Sequence, residues 1–275
     1  MARPPTGREL RERLRVVPGS RIHLAQVDPG ETYGHAKQTA GPVLEAGLRR
    51  LDSLQERLWA GERRAVLVVL QGMDTAGKDG TIRHVMAAFN PQGCPVTGFK
   101  VPTSDELAHD YLWRAHRATP PKGSIGIFNR SYYEDVLVVR VHELVPERRW
   151  RQRYAQINAF EQHLAQNDTT VLKFFLHISP EEQRARLQAR VDDPTKRWKF
   201  QMGDLAERKL WPAYMEAYED ALARCATADA PWYVIPADRK WFRNLAVAEV
   251  LAATLADLRP RYPDAAPGVE GLRVE

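Results

Sequence analysis

Apolar residues run without interruption from Ala65 to Leu70, the longest such stretch in the chain. Four further runs follow, Cys94–Val101, Ser124–Phe128, Thr170–Ile178 and Trp232–Ile235. Runs of this kind, lacking an in/out alternation, predict strands buried on both faces of a parallel sheet. Between them the pattern changes to steps of three and four. Leu44, Leu48, Leu51, Leu54 and Leu58 form one helical stripe that ends before Gly61,. Trp241, Leu245, Ala248, Leu251, Leu255 and Leu258 form another, and Trp211, Tyr214 and Tyr218 are expected to face the core. Thr103–Glu106, Ser131–Glu134 and Ser179–Glu182 each fit a capping box at a helix start,. Alternating strand and helix predicts one doubly wound α/β domain on a mainly parallel five-stranded sheet. Residues 1–41, rich in Pro, Gly and charge, are expected as an extended arm. The domain covers 42–258, and 259–275 is expected as a flexible tail.

Composition narrows this only a little. Lys and Arg number 40 against 35 Asp and Glu, a net +5 with a pI near 9.2, compatible with plain solubility or with a polyanionic partner,. The two cysteines, Cys94 and Cys225, lie too far apart in sequence to write a disulfide framework and point to a reducing, cytoplasmic setting,. No apolar run approaches the ~20 residues that cross a bilayer, so no membrane association is expected. The Arg-rich N-terminus lacks a secretory apolar segment, and Glu9 and Glu12 argue against a transit peptide,.

The chemistry is concentrated where the first strand ends. Gly72-Met-Asp-Thr-Ala-Gly77-Lys78-Asp-Gly-Thr81 runs from that strand into a helical pattern, the setting of a phosphate loop,. Glycines let successive N–H groups turn toward an anion, the helix start adds about half a positive charge, and Lys78 adds a whole one. Gly72, Ala76, Gly77, Asp79, Gly80 and Thr81 join Lys78 as candidate phosphate contacts. Asp79 stands where Ser or Thr usually offers a hydroxyl to Mg²⁺, with Thr81 two residues late. Asp74 lies inside the loop. A carboxylate facing phosphates repels them unless a cation intervenes, so Asp74 is either metal-associated or acceptor-orienting, or it bonds its own backbone.

The third run ends in Asn129-Arg130-Ser131-Tyr-Tyr-Glu134-Asp135. Phosphate-loop enzymes place a metal-binding Asp near such a strand end; here the residue is the neutral Asn129. Arg130 offers a fork of donors to phosphate oxygens. Glu134 either supplies the missing metal charge or completes a capping box, and Asp135 reads as a helix-start acid. Arg114 and Arg117, one helical turn apart, suit either a phosphate chain or solvent. The segment from Arg184 through Arg190, Pro194 and Lys199 has the make-up of a lid over a phosphoryl site or is simply a basic helix, its Trp198 stacks on a base or packs, and 184–210 is the expected extent of the lid,.

The loop with its internal Asp74, the string Asn129-Arg-Ser-Tyr-Tyr-Glu-Asp-Val136, the stretch Asp105–Arg114 and Arg197-Trp-Lys199 together resemble the polyphosphate kinase 2 family over about residues 30–258. The resemblance implies a three-layer α/β/α phosphate-loop kinase fold with a helical lid. It further implies phosphoryl transfer between inorganic polyphosphate and nucleoside phosphates, dependent on Mg²⁺, with Mn²⁺ as the other candidate. Asp74 would be the catalytic acid and Lys78 the phosphate-binding base. Arg130 would grip phosphate, with Arg190 and Lys199 as lid cations. Asn129 in place of the Asp of many members resembles the subgroup accepting both AMP and ADP, and leaves Glu134 to join Asp74 as metal ligand. Adenine nucleotides are the expected partners, guanine nucleotides the alternative, and homo-oligomers are expected by resemblance alone. An ATP-dependent nucleotide kinase would carry the same loop and lid. A nucleic-acid binder would leave Gly72–Thr81 unexplained, and no nucleic-acid partner is expected.

Overall fold

Ala65–Gln71 forms β1, and all seven of its residues are buried. A computed structural model describes residues 3–269 and 271–274. β1 lies between β3 (Ile125–Asn129) and β4 (Thr169–His177), while β2 (Val96–Gly98) and β5 (Trp232–Pro236) form the edges. The order is β2-β3-β1-β4-β5 and every pairing is parallel. A residue in the middle of such a sheet meets helices above and below, which is why β1 contains no alternation to read. β2 is much shorter than the apolar run Cys94–Val101, and its three residues are largely exposed. Leu70 lies beside Asn129 across the β1–β3 register, so the segments leaving the two strands emerge side by side.

Helices α1 (Gly7–Leu14), α2 (Lys37–Gly61), α3 (Lys78–His84), α4 (Ser104–Ala108) and α5 (Trp113–Arg117) come before β3. After β3 come α6 (Val138–Val141), α7 (Glu147–Gln166), α8 (Pro180–Asp192), α9 (Gly203–Lys209), α10 (Trp211–Cys225) and α11 (Lys240–Asp257). α11 packs along α2 and is apolar on nearly all sides, as befits a helix enclosed by neighbours,. Tyr214 and Tyr218 of α10 are buried as expected, whereas Trp211 is only partly covered. No helix among the described residues is long and apolar enough to cross a membrane.

Residues 7–14 depart from the expected extended arm. Thr6 caps α1 with a complete capping box closed by Glu9, Leu10 and Leu14 are buried against the core, and α1 lies on α11. Two leucines within an Arg-rich stretch are enough once a neighbouring helix covers them. Beyond α1, the Val16 N–H donates to the Trp232 carbonyl at 2.9 Å, tying the N-terminal segment to β5. α2 likewise begins at Lys37, before the expected domain start at 42.

Behind the sheet lies a fully buried polar knot. The Lys173 ammonium of β4 donates to Glu161 of α7, to the Tyr133 hydroxyl at 2.9 Å and to the Cys225 carbonyl at 2.7 Å. The Tyr132 and Tyr133 hydroxyls donate to Glu161 at 2.8 and 2.9 Å. Burial raises the Glu161 carboxyl, with Lys173 working against the rise. The knot fixes the 3-10 turn Tyr132–Asp135 immediately after the Asn129–Arg130 segment.

Candidate active site

The loop after β1 bends where a side chain would not fit. A Cβ on Gly72 would come within 2.8 Å of the Leu176 carbonyl, and Gly77, with φ +112°, opens α3. Thr75 also takes a positive φ of 65°, a conformation costing about 1 kcal/mol for a residue with a Cβ,. The N–H groups of Thr75, Gly77 and Lys78 make no hydrogen bond within the described residues, as an anion cradle requires,. Lys78 is buried and curls back, its ammonium donating to the Gly72 carbonyl at 2.6 Å and the Met73 carbonyl at 3.3 Å. Burial, and then the Arg130 guanidinium, lower its pKa to about 8.

Beside the loop, the Arg130 N–H donates to the Leu70 carbonyl at 3.0 Å, and the residue adopts φ +62°. That backbone turn aims the guanidinium across the mouth of the loop. It donates to Asp74 at 2.9 Å and lies 3.6 Å from Glu134. Burial opposes the charge of Arg130, yet Glu134 and Asp74 together hold its pKa above the ordinary value. Gln71, the polar end of β1, donates to Glu134 at 2.9 Å and accepts from the Ser131 hydroxyl at 3.2 Å. Asn129 donates its amide to Asp79 at 2.7 Å. The carboxylate that a phosphate-loop enzyme carries on the strand thus stands on the loop, and the neutral partner stands on the strand.

Among the described residues no three His, Cys, Asp or Glu side chains are grouped to hold a metal ion on their own. Asp74 and Glu134, both paired with the Arg130 guanidinium that lies between them, are the carboxylates that would hold a Mg²⁺-type ion here. Such a cation keeps several waters and takes most of its other ligands from substrate phosphates, needing one or two carboxylates from the protein.

The chain has relatives among known enzymes. A family model described as Polyphosphate kinase 2 (PPK2) matches residues 37–262. This chain is a member of the polyphosphate kinase 2 family. It is 52% identical to the AMP/ADP-polyphosphate phosphotransferase of Meiothermus ruber over 96% of its length and 100% of the relative's. It is 46% identical to the ADP-polyphosphate phosphotransferase of Rhodopseudomonas palustris, over 93% of both chains. The crystal structure of polyphosphate kinase 2 from Arthrobacter aurescens superposes with a TM-score of 0.93 at 44% identity, covering 98% of this chain and 97% of that one. The chain is therefore a phosphotransferase with the polyphosphate kinase 2 fold, an α/β sandwich on an all-parallel five-stranded sheet.

Within that family frame the site residues separate into those that converge and those that do not. Asp74, Lys78, Asp79, Asn129, Arg130 and Glu134 converge on the loop. Thr81 is fully buried, and its hydroxyl has no partner among the described residues. Glu134 is not part of a capping box: the Ser131 hydroxyl accepts from the Tyr133 N–H, and the Glu134 carboxylate turns to Gln71 and Arg130. At α8 the Ser179 hydroxyl does accept from Glu182 N–H, but the Glu182 carboxylate goes to Arg186. Asp135 lies in the first turn of the 3-10 helix, where it pairs with Arg153 of α7 at 2.9 Å, and burial lifts its carboxyl to about 6.

Arg114 is packed, with its guanidinium over the Phe99 ring and donating to the Lys100 carbonyl at 2.9 Å, while Arg117 is exposed and lies over Trp113. The lid cations face lid partners in this conformation: Arg190 donates to the Lys199 carbonyl, and Lys199 sits over the Trp198 ring. Three polar residues at the site escaped sequence reading, Gln71, Gln183 and Arg243, and Arg186 is legible there only as one cation of the lid segment. A lone amide ending an apolar strand was a usable signal for Gln71, and a cation within an apolar helix was one for Arg243. Nothing distinguishes Arg186 from its surface neighbours.

Proposed function

We propose that this chain moves phosphoryl groups between inorganic polyphosphate and adenine nucleotides, converting AMP to ADP and ADP to ATP reversibly with Mg²⁺, which Mn²⁺ can replace. The observation that carries the reading is Arg130 held between Asp74 and Glu134 at the mouth of the loop. Phosphoryl transfer passes through a loose transition state, so catalysis is chiefly alignment and neutralisation of charge. The free loop amides receive a terminal phosphate, and Lys78 exchanges its two carbonyl partners for phosphate oxygens. Arg130 spans donor and acceptor oxygens, while Asp74 orients the acceptor. Asp74 and Glu134 would hold the divalent ion, which when bound would supply further charge neutralisation. Arg190 and Lys199 add cations and exclude water when the lid closes. Arg114 and Arg117 extend the cationic path along the polyphosphate chain.

The whole-length identity to the Meiothermus ruber enzyme supports the choice of both AMP and ADP. Guanine nucleotides as further acceptors and homo-oligomeric assembly complete the proposal, and the two buried free cysteines support a cytoplasmic site of action. The test supplies long-chain polyphosphate, Mg²⁺ and either AMP or ADP, with no ATP, and measures the nucleotides formed. ADP and ATP should appear and should disappear on chelation with EDTA. Turnover that requires added ATP would make the chain an ATP-dependent nucleotide kinase and overturn the proposal. GMP and GDP in the same assay, and light scattering of the purified protein, read the two extensions.

A further inference from the structure

Every carbonyl of the phosphate loop from Gly72 to Gly77 has a partner, and three successive ones are held from outside the loop. The Asp74 carbonyl accepts from the Gln183 amide at 3.0 Å. The Thr75 carbonyl accepts from Arg186 at 2.9 Å. The Ala76 carbonyl accepts from Arg186 at 3.2 Å and from Arg243 at 3.4 Å. The remaining carbonyls, of Gly72, Met73 and Gly77, go to Lys78, to Lys78 with Ala76 N–H, and to Thr81 N–H. All three outer side chains are buried. Arg186 also donates to the carbonyls of Ala237 and Asp238 at 2.7 and 2.8 Å, anchoring the loop to the segment after β5. Arg243 fills the space against Gly77, where a Cβ would come within 1.7 Å of its guanidinium.

We propose that Gln183, Arg186 and Arg243 are positioning residues, a clasp that turns three consecutive carbonyls outward so that the Thr75 and Gly77 amides face the phosphate. This deepens the phosphotransferase reading and rests on it. Adjacent peptide groups in a tight loop can present either oxygen or N–H inward. An inward oxygen would repel the phosphate, so the side chains that capture the oxygens select the binding-competent form. Their placement is costly: two guanidiniums share one buried region, and burial with Arg186 nearby lowers the Arg243 pKa to about 10. Arg186 balances part of its charge on Glu182, whereas Arg243 has no carboxylate partner among the described residues and divides its donors between the Asn244 side chain, at 2.8 and 3.2 Å, and the Ala76 carbonyl. Gln183 and Arg186 belong to α8, the first helix of the expected lid, and Arg208 of α9 donates to the Gln183 side chain at 2.6 Å. The clasp thus joins the lid to the loop at the Asp74 carbonyl.

The test measures tripolyphosphate-induced thermal stabilisation, which needs no turnover, together with the KM for polyphosphate. The native protein and the variants Gln183→Met, Arg243→Lys and Arg243→Met are compared with Arg140→Met, which removes a guanidinium paired to Glu216 and Asp220. Arg140→Met should melt lower yet keep the native tripolyphosphate shift. The clasp variants should lose most of that shift and raise KM, with kcat/KM falling on the order of 10²-fold, as misplacement by about an ångström does. Gln183→Met, a change of similar volume, covers the case in which Arg243→Met fails to fold. Clasp variants that melt lower but retain the native shift and KM would overturn the clasp alone. A native protein that tripolyphosphate does not stabilise would overturn the phosphate-loop reading beneath it as well.

Discussion

Lys78 is an ammonium with no carboxylate of its own, held in the unliganded loop by two carbonyl oxygens. Replacing it with Met keeps the apolar stem and removes the charge that an incoming phosphate meets. Lys78→Met should therefore cut ADP formation from AMP and polyphosphate by about 10³-fold or more, while circular dichroism and melting remain close to native. The pKa near 8 has a further consequence. Below it the ammonium is charged and ready; above it the free enzyme carries a neutral amine, which a bound phosphate must recharge. Polyphosphate affinity should fall as pH rises through about 8, and binding above that pH should take up a proton, measurable by calorimetry in buffers of different ionisation enthalpy. For the unliganded fold the sign is opposite. The depressed native value means that burying the charge costs stability below about pH 8, a cost removed between there and the ordinary lysine value of 10.5,. The exchanged acid and amide at Asp79 and Asn129 are legible as residue types, but their contact follows from the strand register and could not be read from spacing.

The turn that carries Arg130 and Glu134 owes its place to the Lys173–Glu161 knot beneath it. Removing one member leaves an unpaired charge where no water reaches. Glu161→Gln or Lys173→Met alone should cost about 3–5 kcal/mol, read as a lower denaturation midpoint. Joint replacement by apolar residues should cost less than the sum of the two. The strands of this sheet were legible because central parallel strands are apolar throughout, and Ala65–Gln71 matches its run almost residue for residue. α1 was not, since Leu10 and Leu14 are its only buried members and its other positions are dominated by charge. The clasp was hidden for a different reason: an arginine that serves carbonyls looks, in one dimension, like an arginine that serves water. Capping boxes were half legible. Thr103 with Glu106 closes both bonds, whereas Ser131 and Ser179 keep their hydroxyl bonds while their glutamates are drawn away to Arg130 and Arg186.

At the scale of the molecule, the N-terminal segment is structural. Leu10, Leu14 and Val16 are buried to within a few per cent of completely, against α11 and β5. Each such side chain contributes about 1.5–3 kcal/mol of burial. Deleting residues 3–16 should therefore lower stability by on the order of 5 kcal/mol and leave α11 with an uncovered apolar face. The expected readout is a sharply reduced soluble yield and an early melt; a truncated protein with the native melting temperature would contradict the packing.

The hydrogen bond from Val16 to Trp232 also fixes an order of events during synthesis. β5 emerges from the ribosome more than two hundred residues after Val16, so α1 has no surface to dock on until β5 and α11 are out. Nascent chains stalled before residue 232 should hold residues 7–16 open to protease, and release of the full chain should close that window. For this protein a segment made early is among the last to find its place.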